Sequence, residues 1–146
     1  MTEKPIEILM IEDNAGDVIL TREAMLKNKI FNNVNVAEDG EEAWMYLKKT
    51  GKYENVKTPD LILLDLNIPI ISGHDVLIKI KEDAVLKKIP VVIFSSSKNN
   101  KDVAKTYENH ANCYVNKPID FEQFKEIIGH INNFWFEIVL LPNKED

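Results

Sequence analysis

The sequence predicts an α/β protein: a doubly wound sheet of five parallel strands with five helices. Three observations lead there. Short, nearly continuous apolar runs recur along the chain, each run stops at a polar residue, and segments with helical spacing lie between the runs. Short runs rich in Val, Ile and Leu suit strands covered on both faces. Regular alternation of such strands with helices predicts right-handed crossovers in a parallel sheet.

The elements follow in order. Ile6–Ile11 reads as the first strand and ends at Glu12-Asp13. Leu61–Leu64 is wholly apolar and ends at Asp65. Val91–Phe94 follows Pro90 and ends in Ser95-Ser96-Ser97. Asn33–Ala37 and Asn112–Val115 are weaker strands. Helical spacing appears over Asp17–Asn28, Glu41–Lys49, His74–Lys81, Asp102–Glu108 and Phe121–Phe134. In the last of these, Phe121, Phe124, Ile127, Ile128, Ile131 and Phe134 recur at steps of three and four, giving one apolar face. Asp17 and Asp120 stand where helix N-caps are expected, and Lys48–Lys57, with Gly51, reads as a polar loop.

At 146 residues the chain is of single-domain size and needs no disulfide or metal to hold it together. A formal charge of −6 argues against nucleic-acid binding, which needs clustered cations. Cys113 is the lone cysteine, so an internal disulfide is excluded; it reads as a small buried apolar side chain. No apolar stretch approaches the roughly 20 residues of a membrane span. The N-terminus has no signal-peptide core. A cytoplasmic protein with no membrane partner is expected.

In a wound sheet the site forms outside the carboxyl ends of the strands. Those ends carry Glu12, Asp13, Asp65, Ser95 and Lys117. Each acid alone could cap a solvated loop. Three carboxylates on one rim repel, and a hard cation with oxygen ligands, Mg²⁺ above all, relieves the repulsion. A carboxylate beside such a cation can act as nucleophile toward a phosphoryl group. Asp65, ending the most apolar strand, is the candidate nucleophile. Glu12 and Asp13 are the metal pair, the Asn67 carbonyl offers a further ligand, Lys117 a second cation, and Ser95 a hydroxyl donor.

These residues resemble the receiver domain of bacterial two-component response regulators. The likeness runs from about Ile6 to Phe134. It rests on Glu12-Asp13, on Leu64-Asp65-Leu66-Asn67-Ile68-Pro69 with Gly73, on Ser95, and on Tyr114 with Lys117-Pro118. It implies a flavodoxin-like fold with strand order 2-1-3-4-5. It further implies that Asp65 accepts phosphate from a sensor histidine kinase, that Asp13, Asp65 and Asn67 hold Mg²⁺ with Glu12 acting through water, that Ser95 and Tyr114 form a switch pair, and that the Lys117–Pro118 bond is cis. A narrower likeness, over Glu12-Asp13-Asn14, Asp17-Val18, Leu20–Ala24 and the ending Phe134–Glu137 with Val139 and Leu141-Pro142, is to single-domain regulators paired with bacterial phytochromes. Ala15 departs from the proline common in that group, and Ser95 replaces the more usual threonine while keeping the hydroxyl.

The expected protein is therefore a phosphorylation-controlled switch, not an enzyme in its own right. It consists of a receiver domain over residues 1–134 and a C-terminal extension over 135–146. With no output domain of its own, it passes its signal to a downstream protein target or a phosphotransfer protein. An electron carrier of the same architecture would need a phosphate cradle where this chain has Glu12–Asp17. An aspartyl phosphatase would need a second acid where Asn67 stands. A receiver-like module working without phosphate is the remaining alternative. His74, His110 and His130 show no ligand spacing and read as surface or capping residues, and Lys79, Lys81, Lys87 and Lys88 as a solvated face. Trp135–Pro142 is apolar or proline except for Glu137, which predicts a two-fold homodimer anchored by Trp135 and Phe136. The competing reading folds this segment back on its own domain, with Asn143–Asp146 frayed beyond it.

Overall fold

The computed structural model describes residues 5–27 and 32–142. The expected helix end at Asn28 and the frayed tail Asn143–Asp146 lie outside them. The strands are β1 (Ile6–Ile11), β2 (Asn32–Ala37), β3 (Leu61–Leu64), β4 (Val91–Ser95) and β5 (Cys113–Asn116). All pair in parallel in the order β2-β1-β3-β4-β5, as expected. The helices are α1 (Ala15–Leu26), α2 (Gly40–Lys48), α3 (Gly73–Glu82), α4 (Asn100–Glu108) and α5 (Phe121–Asn133).

Alternation along the strands divides the core in two. Leu9, Ile11, Ile62, Leu64 and Ile93 face α2 and α3, meeting Ala43, Leu47, Val76, Leu77 and Ile80. Ile8, Met10, Leu63, Val92 and Phe94 face α1 and α5, meeting Met25, Phe124 and Ile128. Each fully buried Leu or Ile contributes about 1.5–3 kcal/mol relative to exposure. β3, the central strand, is buried at every position, so Asp65 leaves the densest part of the core.

The helix caps correct one expectation. Asn14, not Asp17, caps α1: its Oδ1 accepts from the Asp17 amide at 3.0 Å. Asp17 sits in the first turn with its carboxylate turned to the site. Asn and Asp cap about equally well, so the residue three positions ahead of the first acid wins by geometry. Asp120 does cap α5, accepting from the Glu122 and Gln123 amides. α4 begins earlier than expected because Asn99 caps it.

Three further expectations are corrected. Among the described residues no peptide is cis, so Lys117–Pro118 is trans. The trans preference at X–Pro is only about 0.5–1 kcal/mol, and Lys117 reaches its carboxylates from the trans bond. Lys81 is half-buried and not simply part of a solvated face: its Nζ donates to the Lys87 and Ile89 carbonyls and to Asn112 Oδ1, tying the α3–β4 connection together. The Lys48–Lys57 loop holds a 3₁₀ turn, Gly51–Tyr53, whose Tyr53 ring packs 5.2 Å from Tyr46 and whose hydroxyl donates to Glu42.

The C-terminal segment also differs from the preferred reading. A π-helical turn, Phe134–Ile138, continues α5. It brings Trp135, 9% exposed, into the apolar cluster beneath α1 and α5, with Phe136, Val139 and Leu141 packed beside it. The half-buried Cys113 belongs to the same cluster, and burial pushes its thiol pKa up. The five helices had left room on this face, and a large ring fills it from within the chain. Phe134, Ile138 and Leu140 remain exposed.

Candidate functional site

The carboxyl ends of β1, β3 and β5 converge. The Asp65 amide donates to the Ile11 carbonyl at 3.0 Å and the Glu12 amide to the Ala37 carbonyl at 2.9 Å, which carries the strand pairing into the loops. The Lys117 amide donates to the Ser95 carbonyl at 2.9 Å, setting Lys117 beside the end of β4. Gly73 closes the far side: a Cβ there would lie 2.4 Å from the Asp65 carbonyl oxygen, so α3 starts hard against β3 only because the residue is glycine.

One buried ammonium organises the site. Lys117 Nζ donates to Asp65 Oδ2 at 2.8 Å, to Asp17 Oδ2 at 2.9 Å and, at closer range, to Glu12 Oε1. It lies 5.8 Å from the centre of the Phe94 ring. Asp65 Oδ1 accepts from the Asn67 amide at 3.0 Å. Both Asp65 oxygens are thus held, one by a cation and one by a backbone donor.

The electrostatics follow from crowding. Burial pushes the Glu12 carboxyl up to about 7, against the Lys117 hydrogen bond and with Asp65 adding to the rise. Burial also pushes Asp65 up. The Lys117 and Asn67 donors outweigh it and hold Asp65 below the ordinary carboxylate value. Burial would lower Lys117, yet its bonds to Asp65, Glu12 and Asp17 hold it above the usual ammonium value. The two buried acids share one cation, and Asp65, with the extra amide, is the one that stays ionised.

Glu12, Asp13 and Asp65 each present an oxygen, all within 4.8 Å of one another, with Asp13 exposed. An all-oxygen, carboxylate-rich set open to water on one side fits a hard divalent cation that keeps part of its water shell. Asn67 lies beside it, exposed at the loop start. Ser95 is fully buried, and its Oγ accepts from the Ser97 amide at 3.4 Å. The Tyr114 ring is half-buried, and its hydroxyl donates to the Ser97 carbonyl at 2.7 Å. The structure thus brings Glu12, Asp13, Asp65 and Lys117 together with Asn67 beside Asp65, while Ser95 and Tyr114 meet one another through Ser97.

Asp17 reaches the site although its sequence position suggests only a helix cap; Asn14, three residues ahead, takes that role. That spacing frees Asp17 for another role. His74 is not the surface residue its sequence suggests: its side chain is 14% exposed and faces Asp102. Nothing local marks them, since they meet across two helices at 3.2 Å.

The chain belongs to the response regulator receiver domain family, which matches residues 8–129. It is 40% identical over 138 residues to Response regulator Rcp1 of Synechocystis sp., covering 94% of each chain. Its fold superposes on the phosphorylated cyanobacterial phytochrome response regulator RcpA with a TM-score of 0.93 at 41% identity, covering 96% of this chain and all of that one. A Mn²⁺-bound form of Rcp1 matches with a TM-score of 0.92 at 40% identity, over 95% of this chain and all of that one.

Proposed function

We propose that this chain is a two-component response regulator that takes a phosphoryl group onto Asp65 from a sensor histidine kinase. The observation that carries the reading is the setting of Asp65. It is a carboxylate at the end of the central strand, held ionised by Lys117 and the Asn67 amide, beside two further acids. An Asp65 oxygen attacks phosphorus, the phosphorus–nitrogen bond of the phosphohistidine breaks, and an acyl phosphate forms as the imidazole leaves with its electron pair. Lys117 pairs with the incoming phosphoryl oxygens, and the Ser95 hydroxyl donates to another. Glu12, Asp13, Asp65 and the Asn67 carbonyl would hold Mg²⁺. When bound, the ion supplies charge neutralisation at the phosphoryl oxygens.

The output is a change of protein contacts, with Ser95 and Tyr114 as the switch pair. A Ser95 hydroxyl drawn to the phosphoryl group biases the place of the Tyr114 ring, by no more than the difference in affinity between the two states. The relatives are named as phytochrome regulators, which supports a phytochrome kinase as the source of phosphate. The location proposed with it is cytoplasmic; among the described residues no helix is long and apolar enough to cross a membrane. Residues 135–146 serve as an extension to the domain and as the seat of a homodimer. Exposed Phe134, Ile138 and Leu140 replace the buried Trp135 as its anchors.

The test of the acceptor is labelling. Wild-type protein incubated with a phosphorylated kinase or acetyl phosphate and Mg²⁺ is expected to carry phosphate on Asp65, and excess chelator to prevent it. Labelling of Asp65→Asn at the wild-type rate would overturn the assignment and favour the module that works without phosphate. For the dimer, sedimentation of the full chain is expected to show a pair that Leu140→Glu splits without lowering Tm. Trp135→Ala is expected instead to cost about 3–5 kcal/mol of fold stability.

A further inference from the structure

A second chain of polar contacts runs from the switch loop to α3, outside the acidic centre. Ser97 lies in the loop after β4, and all three of its polar groups are engaged. Its amide donates to Ser95 Oγ at 3.4 Å, its carbonyl accepts the Tyr114 hydroxyl at 2.7 Å, and its hydroxyl donates to Asp102 Oδ2 at 2.8 Å. The other Asp102 oxygen meets His74 Nε2 at 3.2 Å. The His74 side chain is 14% exposed, and its Nδ1 is buried with no hydrogen-bond partner among the described residues. A buried ring nitrogen without a partner is an uncompensated cost, so the contact with Asp102 is what holds the imidazole in place. His74 directly follows Gly73, the residue pressed against the Asp65 carbonyl. The bridge therefore joins the start of α3, beside the acceptor loop, to the carbonyl that receives Tyr114.

We propose that His74 and Asp102 are positioning residues for the switch: through the Ser97 hydroxyl they fix the Ser97 carbonyl where the Tyr114 hydroxyl can reach it. A loop carbonyl between exposed Ser96 and Lys98 is otherwise free to turn toward water. Tethering it by its own side chain favours the half-buried place of the Tyr114 ring before any phosphoryl group arrives. The proposal rests on the reading of Ser95 and Tyr114 as the switch pair. It adds two residues that touch neither the phosphoryl group nor the metal ligands.

The experiment follows the Tyr114 ring in the full chain by NMR of ¹³C-labelled tyrosines, with Tyr114→Phe assigning the signal. Ser97→Ala keeps the carbonyl and removes the tether, together with the long 3.4 Å bond that the same hydroxyl accepts from the Asn99 amide. Asp102→Ala and His74→Phe cut the bridge at its other links. Without any phosphoryl analogue, all three are expected to move the Tyr114 signal toward one common solvent-exposed position. The inward population relative to the outward one should fall about fivefold, a typical size for a shift of this kind. The double variant Ser97→Ala/Asp102→Ala should move it no further than either single one, because both break the same link. A helix merely loosened by mutation would not give that non-additivity. His74→Phe has the greatest chance of misfolding; Ser97→Ala, in an exposed loop, decides the matter alone. A Tyr114 signal unmoved in Ser97→Ala, or effects that simply add, would overturn the bridge. Beryllofluoride with Mg²⁺ is then added to the wild type. A Tyr114 signal that ignores it overturns the switch reading itself, whereas the resting signals already obtained still decide the bridge.

Discussion

Two buried glutamates bracket β1, Glu7 near its start at 5% and Glu12 just past its end at 1% exposure, and they are satisfied in opposite ways. Glu7 is met by neutral amides from β2: Asn33 Nδ2 at 3.1 Å and Asn35 Nδ2 at 3.4 Å, with Lys57 looser at 3.9 Å. Its register partner is Asn33 itself, and its backbone is tied to Asp60 on both sides. Glu12 is crowded by Asp65 and Asp13 and shares one ammonium with two other acids. Burial of a charge alone therefore does not mark a site. Amides that answer a carboxylate one for one make a closed structural contact. Like charges gathered around a single cation leave a demand that only a further cation or an incoming anion with its own metal can settle.

That contrast can be broken in four places. The largest effect is expected at Asp65, the proposed acceptor: Asp65→Asn should abolish phosphoryl labelling, while Glu7→Gln should leave the rate unchanged, both read by radiolabel transfer. Next, Lys117→Met leaves three carboxylates without their cation. It should cost about 3 kcal/mol in urea unfolding at pH 8 and recover much of that on adding Mg²⁺. Third, Glu12 makes the apo protein depend on pH. Its folded-state value of about 7 lies above its ordinary 4.5. Between these values the folded protein holds a proton that the unfolded chain has released. The Glu12 contribution to stability is thus full below about pH 4.5 and lost as pH rises through about 7. Mg²⁺ competes with that proton, so calorimetry should find its affinity about tenfold weaker at pH 6 than at pH 8. Glu12→Gln should flatten this profile and Glu7→Gln should not. The smallest effect is the structural one: Glu7→Gln keeps an acceptor for one asparagine and strands the other, costing about 1 kcal/mol.

Much of the architecture was legible along the chain because it is written in local patterns. Leu61–Leu64 and Val91–Phe94 read as central strands since a strand covered on both faces has no need of alternation. The rim residues Glu12, Asp13, Asp65, Ser95 and Lys117 were legible for a related reason: in a parallel sheet the residue that ends an apolar run always emerges at the same edge. Their gathering follows from topology, not from contacts that had to be guessed.

What depended on packing between distant elements was not legible. Asp17 turns to Lys117, 100 positions away, and that depends on where the first turn of α1 lies relative to the residue after β5. The apolar neighbourhood of Trp135 suggests an interface anchor, and whether it faces a partner or its own core depends on the space left beneath α1 and α5. His74 and Asp102 carry no spacing signal, because their meeting is set by where α3 and α4 cross. Local sequence determined which segments are strands and helices and which acids stand at the strand ends, since those properties arise from neighbours along the chain. Only the tertiary structure decided which carboxylates share Lys117, which indole fills the core and which histidine meets Asp102. Those choices arise from side chains that approach across the folded interior.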